Sequence, residues 1–151
     1  MAAIVTSSKM VQVGIVVRNI EKTAAAYAKF FGVPVPGIHE TDGLDKTHAV
    51  YQGKPLRARA KLAFFNMESL SLELIEPVGG PSTWKDHLDQ KGEGVHHIAF
   101  LVDDLAAALR ELDARGVKLI DRVPRPGARG HQVGFLHPAA CGGVLVELVE
   151  H

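Results

Sequence analysis

The chain has one cysteine, Cys141, in 151 residues, which excludes an internal disulfide and any CxxC metal site and makes a reducing cytoplasm the expected setting. Net charge is missing as well. Lys+Arg and Asp+Glu both number 17, so no overall charge draws the chain to nucleic acid or to an anionic membrane. No apolar run approaches the roughly 20 residues that cross a bilayer, and no basic segment leads into an apolar one at the N-terminus. Low-complexity tracts and charge blocks are absent too. The expected partner is therefore a small molecule, with neither nucleic acid nor membrane involved.

The sequence contains a duplication. With 46% hydrophobic and 23% charged residues it reads as a single globular domain over residues 1–151, built from two modules. Module one covers about 10–77, a linker about 78–93, and module two about 94–151. Val11-Gln12-Val13-Gly14-Ile15-Val16-Val17 matches His96 to Val102, so that Gln12 falls on His97, Gly14 on Ala99 and Val17 on Val102. Arg18-Asn19-Ile20 and Asp103-Asp104-Leu105 then open corresponding helices. Each half ends on an apolar strand interrupted by a glutamate, Glu73 in Leu72 to Glu76 and Glu147 in Val146 to Glu150.

Local signals supply the elements. Valine and isoleucine make Met10 to Val17 a strand, with Val11, Val13, Ile15 and Val17 on one face and Gln12, Gly14 and Val16 on the other. Small residues beside Gln12 and His97, namely Gly14 and Ala99, suggest room for a guest molecule above them. Asn19 caps an alanine-rich helix over Ile20 to Phe31 that Gly32 ends. Leu105, Ala108, Leu109 and Leu112 follow helical spacing up to Gly116. Val35 to Gly53 reads as loop with one short strand, followed by strands at Arg57 to Phe65 and Leu70 to Glu76. After Pro77 to Pro81 come a short helix from about Ser82 to Gln90 and strands near Lys118 to Asp121, Gln132 to Leu136 and Val144 to Val149. The predicted class is α+β: two repeated β-α-β-β-β modules forming a curved mixed sheet around a metal-binding cleft.

Four polar residues, Gln12, Glu73, His97 and Glu147, occupy equivalent places and are read as one site. Burying a lone ionised carboxylate costs several kcal/mol, and a divalent cation offsets that cost for both glutamates. One histidine nitrogen with amide and carboxylate oxygens suits Co²⁺, Ni²⁺, Zn²⁺ or Mn²⁺ and leaves positions open for substrate. Such a cation polarises a carbonyl and stabilises the enolate left when the neighbouring carbon loses its proton. His96 points the opposite way, where it either supports the site from behind or belongs to the core. Glu76, Glu150, His131 and His137 fall outside the register as read here, and surface or loop roles are expected for them.

With these residues in view, the sequence resembles the vicinal oxygen chelate superfamily, whose members pair β-α-β-β-β modules around a divalent metal. The resemblance runs from Met10 to Glu150. The second half is most similar to the methylmalonyl-CoA epimerases, through Gly92-Glu93-Gly94-Val95-His96-His97-Ile98-Ala99-Phe100, Pro124-Arg125-Pro126-Gly127-Ala128, Phe135-Leu136-His137-Pro138 and Gly142 to Leu148; Leu72 to Pro77 is also epimerase-like. The family pattern implies Gln12, Glu73, His97 and Glu147 as metal ligands and a homodimer. Two departures stand out. Epimerases usually carry histidine at the place of Gln12, where glutamine resembles a branch of glyoxalase I. A second glutamate of the epimerases is replaced by Tyr51 before Gln52-Gly53, with Lys54 to Arg57 reading as an insertion. Either Glu40 or Asp42 supplies the second base, or Glu73 and Glu147 serve opposite faces of the substrate.

The resemblance implies an isomerase, most like methylmalonyl-CoA epimerase, that abstracts the α-proton of an acyl-CoA thioester through a metal-stabilised enolate, with Glu147 and Glu73 as catalytic residues. The alternatives are a glyoxalase I-like lactoylglutathione lyase acting on a thiol adduct, or a metal-free module that binds a drug or other small molecule. A ring-cleaving dioxygenase fits less well, because that chemistry prefers two histidines and one carboxylate.

Overall fold

The computed structural model describes residues 9–41, 50–55 and 58–151, with the backbone alone at residues 50 and 51. In chain order its elements are β1 (Met10–Val16), α1 (Ile20–Phe31), β2 (His39–Glu40), β3 (Val50–Tyr51), β4 (Lys54–Pro55), β5 (Arg59–Asn66), β6 (Ser71–Val78), α2 (Thr83–Lys91), β7 (Gly94–Leu101), α3 (Leu105–Ala114), β8 (Arg125–Pro126), β9 (Gln132–Leu136) and β10 (Leu145–Glu150). The class is mixed α+β. Two compact units divide the chain, one formed by residues 13–96 and the other by residues 1–12 with 97–151.

Within residues 13–96 the strand order is β2-β5-β6-β1. β5 and β6 pair antiparallel from Arg59↔Val78 to Asn66↔Ser71, and the Val17 N–H donates to the Ile75 carbonyl at 2.8 Å. The side chain of Asn19 accepts from the Lys22 N–H to start α1, and Gly32 ends the helix in the left-handed region at φ 66°. Ile20, Ala24 and Ala28 then recur every four residues and pack on Val17, Ala63, Phe65 and Leu74. Another apolar group gathers Val16, Ala60, Leu62 and Ile75 with Leu88 of α2. The stretch read as loop with one short strand holds β2 and the beginning of a second small hairpin, β3 with β4, turned by Gln52 and Gly53 at φ 50° and 75°.

Within the other unit the order is β7-β10-β9-β8. β10 lies parallel to β7, with Leu145 opposite His97 and Glu147 opposite Ala99, and antiparallel to β9, with Glu147 opposite Phe135. α3 copies the start of α1: Asp104 accepts from the Ala107 N–H. Its Leu105, Ala108, Leu109 and Leu112 bury against Val102, Leu136 and Leu148, as their spacing predicted. Gly134 is fixed by that packing, since a Cβ there would stand 2.9 Å from a Leu109 methyl carbon.

The strand expected over Lys118 to Asp121 is reduced to one bridge, Leu119↔Leu136. Asp121 breaks the ladder: its carboxylate accepts the Phe135 N–H at 2.9 Å, the donor that a neighbouring strand's carbonyl would otherwise take. Glu76 and Glu150 also correct the sequence reading, because they hold equivalent structural posts. A Glu76 oxygen accepts from the Ile20 N–H at 3.3 Å and a Glu150 oxygen from the Leu105 N–H at 2.7 Å, so each terminal strand satisfies the first N–H of its unit's helix. Glu76 also bonds Lys61 at 3.2 Å, raising that ammonium's pKa mainly through this hydrogen bond. Among the described residues no helix is long and apolar enough to cross a membrane.

The shorter bond marks Glu150 as the stronger of the two caps. Glu150→Ala should lower the unfolding free energy by about 1–2 kcal/mol, read from the midpoint of a urea titration. A loss of only a few tenths would show that water replaces the carboxylate without cost.

Candidate functional site

β1, β7 and β10 each carry one polar side chain to a common point. The Gln12 amide oxygen lies 2.8 Å from His97 Nε2, and an oxygen of Glu147 lies 3.1 Å from the same nitrogen. His97 is 3% exposed and Glu147 8%, so water contributes little to this group. β10 runs between β7 and β9, so its backbone is paired on both sides and the Glu147 side chain is left to be answered by its neighbours.

The donor chemistry fits a cation. A neutral imidazole has one ring N–H, and if it sits on Nε2 it serves two oxygens at once. With the proton on the other ring nitrogen, one nitrogen lone pair and two oxygens converge on a single region, an arrangement that repels itself unless a positive ion lies between them. Among the described residues no three His, Cys, Asp or Glu side chains are already placed to hold a metal ion; the donors that meet at His97 are its own Nε2, the Glu147 carboxylate and the Gln12 amide oxygen.

Glu73, the fourth expected member, lies on β6 in the unit of residues 13–96. It is 7% exposed and faces Phe64 across the ladder. Glu147 faces Phe135 in the same way, so the glutamate–phenylalanine pair is itself duplicated. His96 is buried and sets its ring against His87, with centroids 5.5 Å apart, while burial lowers the pKa of His87, helped by Lys91. Glu40, a candidate second base, is exposed and paired with Arg59 at 3.5 Å. Asp42 and the Tyr51 side chain lie outside the described residues. A cavity of about 410 Å³ within residues 13–96, lined by residues that include Phe31, Pro34, Phe64 and Met67, contains none of the candidate residues.

Other features at the site were not read from the sequence. Ala99, expected to leave space above it, is completely buried among Val133, Val149, Val11 and Phe135. Phe135 meets the His97 ring edge-on, with centroids 6.0 Å apart, and carries the Arg125 guanidinium 5.2 Å from its own centroid. His131 stacks on His151 with centroids 4.3 Å apart. Burial lowers the His131 pKa, assisted by His151 and Arg129 and opposed by the charge of Glu147.

The matched sequence pattern defines the class. Residues 11–135 match the Glyoxalase/Bleomycin resistance protein/Dioxygenase superfamily, and the chain belongs to it. Its similarity to named relatives is narrower. It is 33% identical to the mitochondrial methylmalonyl-CoA epimerase of Dictyostelium discoideum over 143 residues, covering 94% of this chain and 78% of that one. A higher identity, 47% over 92 residues, relates it to the uncharacterized protein YqjC of Bacillus subtilis; that match covers 61% of this chain and 66% of YqjC, just under two thirds. The crystal structure of methylmalonyl-CoA epimerase from Mycobacterium tuberculosis superposes with a TM-score of 0.76 at 29% identity, covering 99% of this chain and 92% of that one. The fold is that of the vicinal oxygen chelate proteins.

The packing over Ala99 is directly testable. Ala99→Val inserts two methyl groups into a site with no exposure, and it should cost about 1–3 kcal/mol in a denaturant titration. A neutral result would restore the open space that the sequence suggested.

Proposed function

We propose that this chain is a cation-dependent epimerase acting at the carbon next to a thioester carbonyl, with methylmalonyl-CoA or a similar acyl-CoA as substrate. The observation that supports this most is the buried His97 nitrogen facing the Gln12 and Glu147 oxygens at 2.8 and 3.1 Å. Gln12, Glu73, His97 and Glu147 would hold one divalent ion, Co²⁺, Ni²⁺, Zn²⁺ or Mn²⁺. Glu73 is included because it matches Glu147 in the repeat and is equally buried in an apolar strand. When bound, the ion supplies polarisation of the thioester carbonyl, which acidifies the neighbouring carbon.

In this proposal the chain's own residues move the proton. A Glu147 carboxylate oxygen takes the α-proton from one face of the substrate while Glu73, entering the cycle as the carboxylic acid, gives its proton to the other face, so the configuration inverts; Glu147 is left protonated and Glu73 ionised, and proton exchange with water resets the pair. Their low exposure keeps bulk water from the reacting carbon. General-base assistance of this kind is worth about 10² to 10⁴ in rate. Gln12 keeps a second reading in play, a glyoxalase-like isomerisation of a thiol adduct, and turnover of a glutathione hemithioacetal would favour it.

Replacing the nitrogen donor should release the metal. His97→Ala is expected to lose the bound ion on dialysis, as counted by mass spectrometry, whereas Gln12→His keeps it because a neutral ligand replaces a neutral ligand. Unchanged stoichiometry in His97→Ala would place the site elsewhere.

Glu147→Gln retains an oxygen but has no useful basicity. It should hold metal while epimerisation of methylmalonyl-CoA falls about 10²- to 10⁴-fold. Parental rates in both Glu147→Gln and Glu73→Gln would rule out the two-glutamate scheme.

A further inference from the structure

One charged pair breaks the symmetry of the repeat. Arg125 on β8 lies opposite Val133, two residues before Phe135 on β9. Phe64 corresponds to Phe135, each facing its unit's buried glutamate, so Leu62 corresponds to Val133; the residue opposite Leu62 is His39, which is exposed. Among the described residues, Val133 thus faces a cation held by a buried acid, whereas Leu62 faces an exposed histidine.

That acid is Asp121, 8% exposed. One of its oxygens takes the Phe135 N–H at 2.9 Å and the other takes the Arg125 Nε–H at 3.3 Å. A single carboxylate thus anchors the backbone opposite Glu147 and aims the guanidinium. Arg125 lies over the Phe135 ring, whose partner in turn is His97. Its side chain is 23% exposed, and among the described residues neither Nη atom has a protein partner. The outer edge of a guanidinium held by Nε is the edge that grips a carboxylate through two parallel N–H···O bonds.

We propose that Arg125 is a specificity-determining residue that binds, through its Nη edge, the carboxylate carried on the substrate's α-carbon, and that Asp121 is its positioning residue. This rests on the epimerase reading. A guanidinium one aromatic ring away from His97 suits an anionic group attached to the reacting carbon itself. The phosphates of coenzyme A offer the same anionic oxygens, and the substrates chosen for the test separate the two sources.

Metal-loaded protein in D₂O is assayed for α-hydrogen exchange with methylmalonyl-CoA, with 2-methylbutyryl-CoA, which lacks the carboxylate, and with methylmalonyl-pantetheine, which lacks the nucleotide. Arg125→Met should raise KM about 10- to 100-fold for both carboxylated substrates and leave exchange of 2-methylbutyryl-CoA unchanged. Arg125→Lys, which keeps the charge without the fork, should fall between parent and Arg125→Met. Asp121→Asn should raise the same KM and add nothing further in the Arg125→Met background, a coupling that a general loss of folding would not produce. An equal loss on all three substrates, or a loss confined to those carrying the nucleotide, overturns the proposal. Calorimetric titration with methylmalonyl-CoA and 2-methylbutyryl-CoA makes the same comparison without turnover. Absence of exchange in the parent contradicts the epimerase reading, whereas equal methylmalonyl-CoA affinities for parent and Arg125→Met contradict the role of Arg125.

Discussion

A carboxylate placed inside an apolar sheet has to be answered by something other than water. Glu147 sits between Val146 and Leu148 on a strand paired on both sides, and Glu73 sits between Leu72 and Leu74. Both are buried. Leaving either ionised and unpaired would cost several kcal/mol, a large part of the stability of an average domain. The imidazole of His97 faces Glu147 in the unit that contains both, with the Gln12 amide oxygen on the same ring nitrogen, and all three atoms are good cation ligands. Stability and chemistry therefore make the same demand on these positions.

The duplication sets what surrounds them. Each half caps its helix twice, with Asn19 or Asp104 at the third N–H and Glu76 or Glu150 at the first, and each sets a phenylalanine opposite its buried glutamate. The halves differ where specificity is needed. Gln12 offers an oxygen where His97 offers a nitrogen, and Arg125, held by Asp121, stands opposite Val133 where the first half sets His39 opposite Leu62. A duplicated frame of this kind supplies matched positions, while the reaction depends on what distinguishes them.

Much of the frame was legible because local rules govern it. α1 and α3 begin at their predicted caps, and Gly32 ends α1 in the left-handed conformation that glycine tolerates best. The repeat register marked Gln12, His97 and Glu147, which the fold brings within hydrogen-bonding distance. What escaped depends on contacts between distant residues. Asp121 carries no sign in the sequence that it will take a backbone N–H from residue 135, and apolar periodicity around it reads as a strand. Ala99 is small in order to fit beneath Phe135 and Val149, a reason that alternation cannot reveal. Glu76 and Glu150 could have been found, since each follows its buried glutamate by the same three positions. The register simply had to be carried to the end of each strand.

The ligand set is the centre of this account, and X-ray absorption at the cobalt edge of the Co²⁺-loaded chain reads it without relying on activity. The account predicts a shell of nitrogen and oxygen alone, with the scattering signature of one imidazole that disappears in His97→Gln. Sulfur in the shell, a second imidazole, or an unchanged signal in that variant would contradict it.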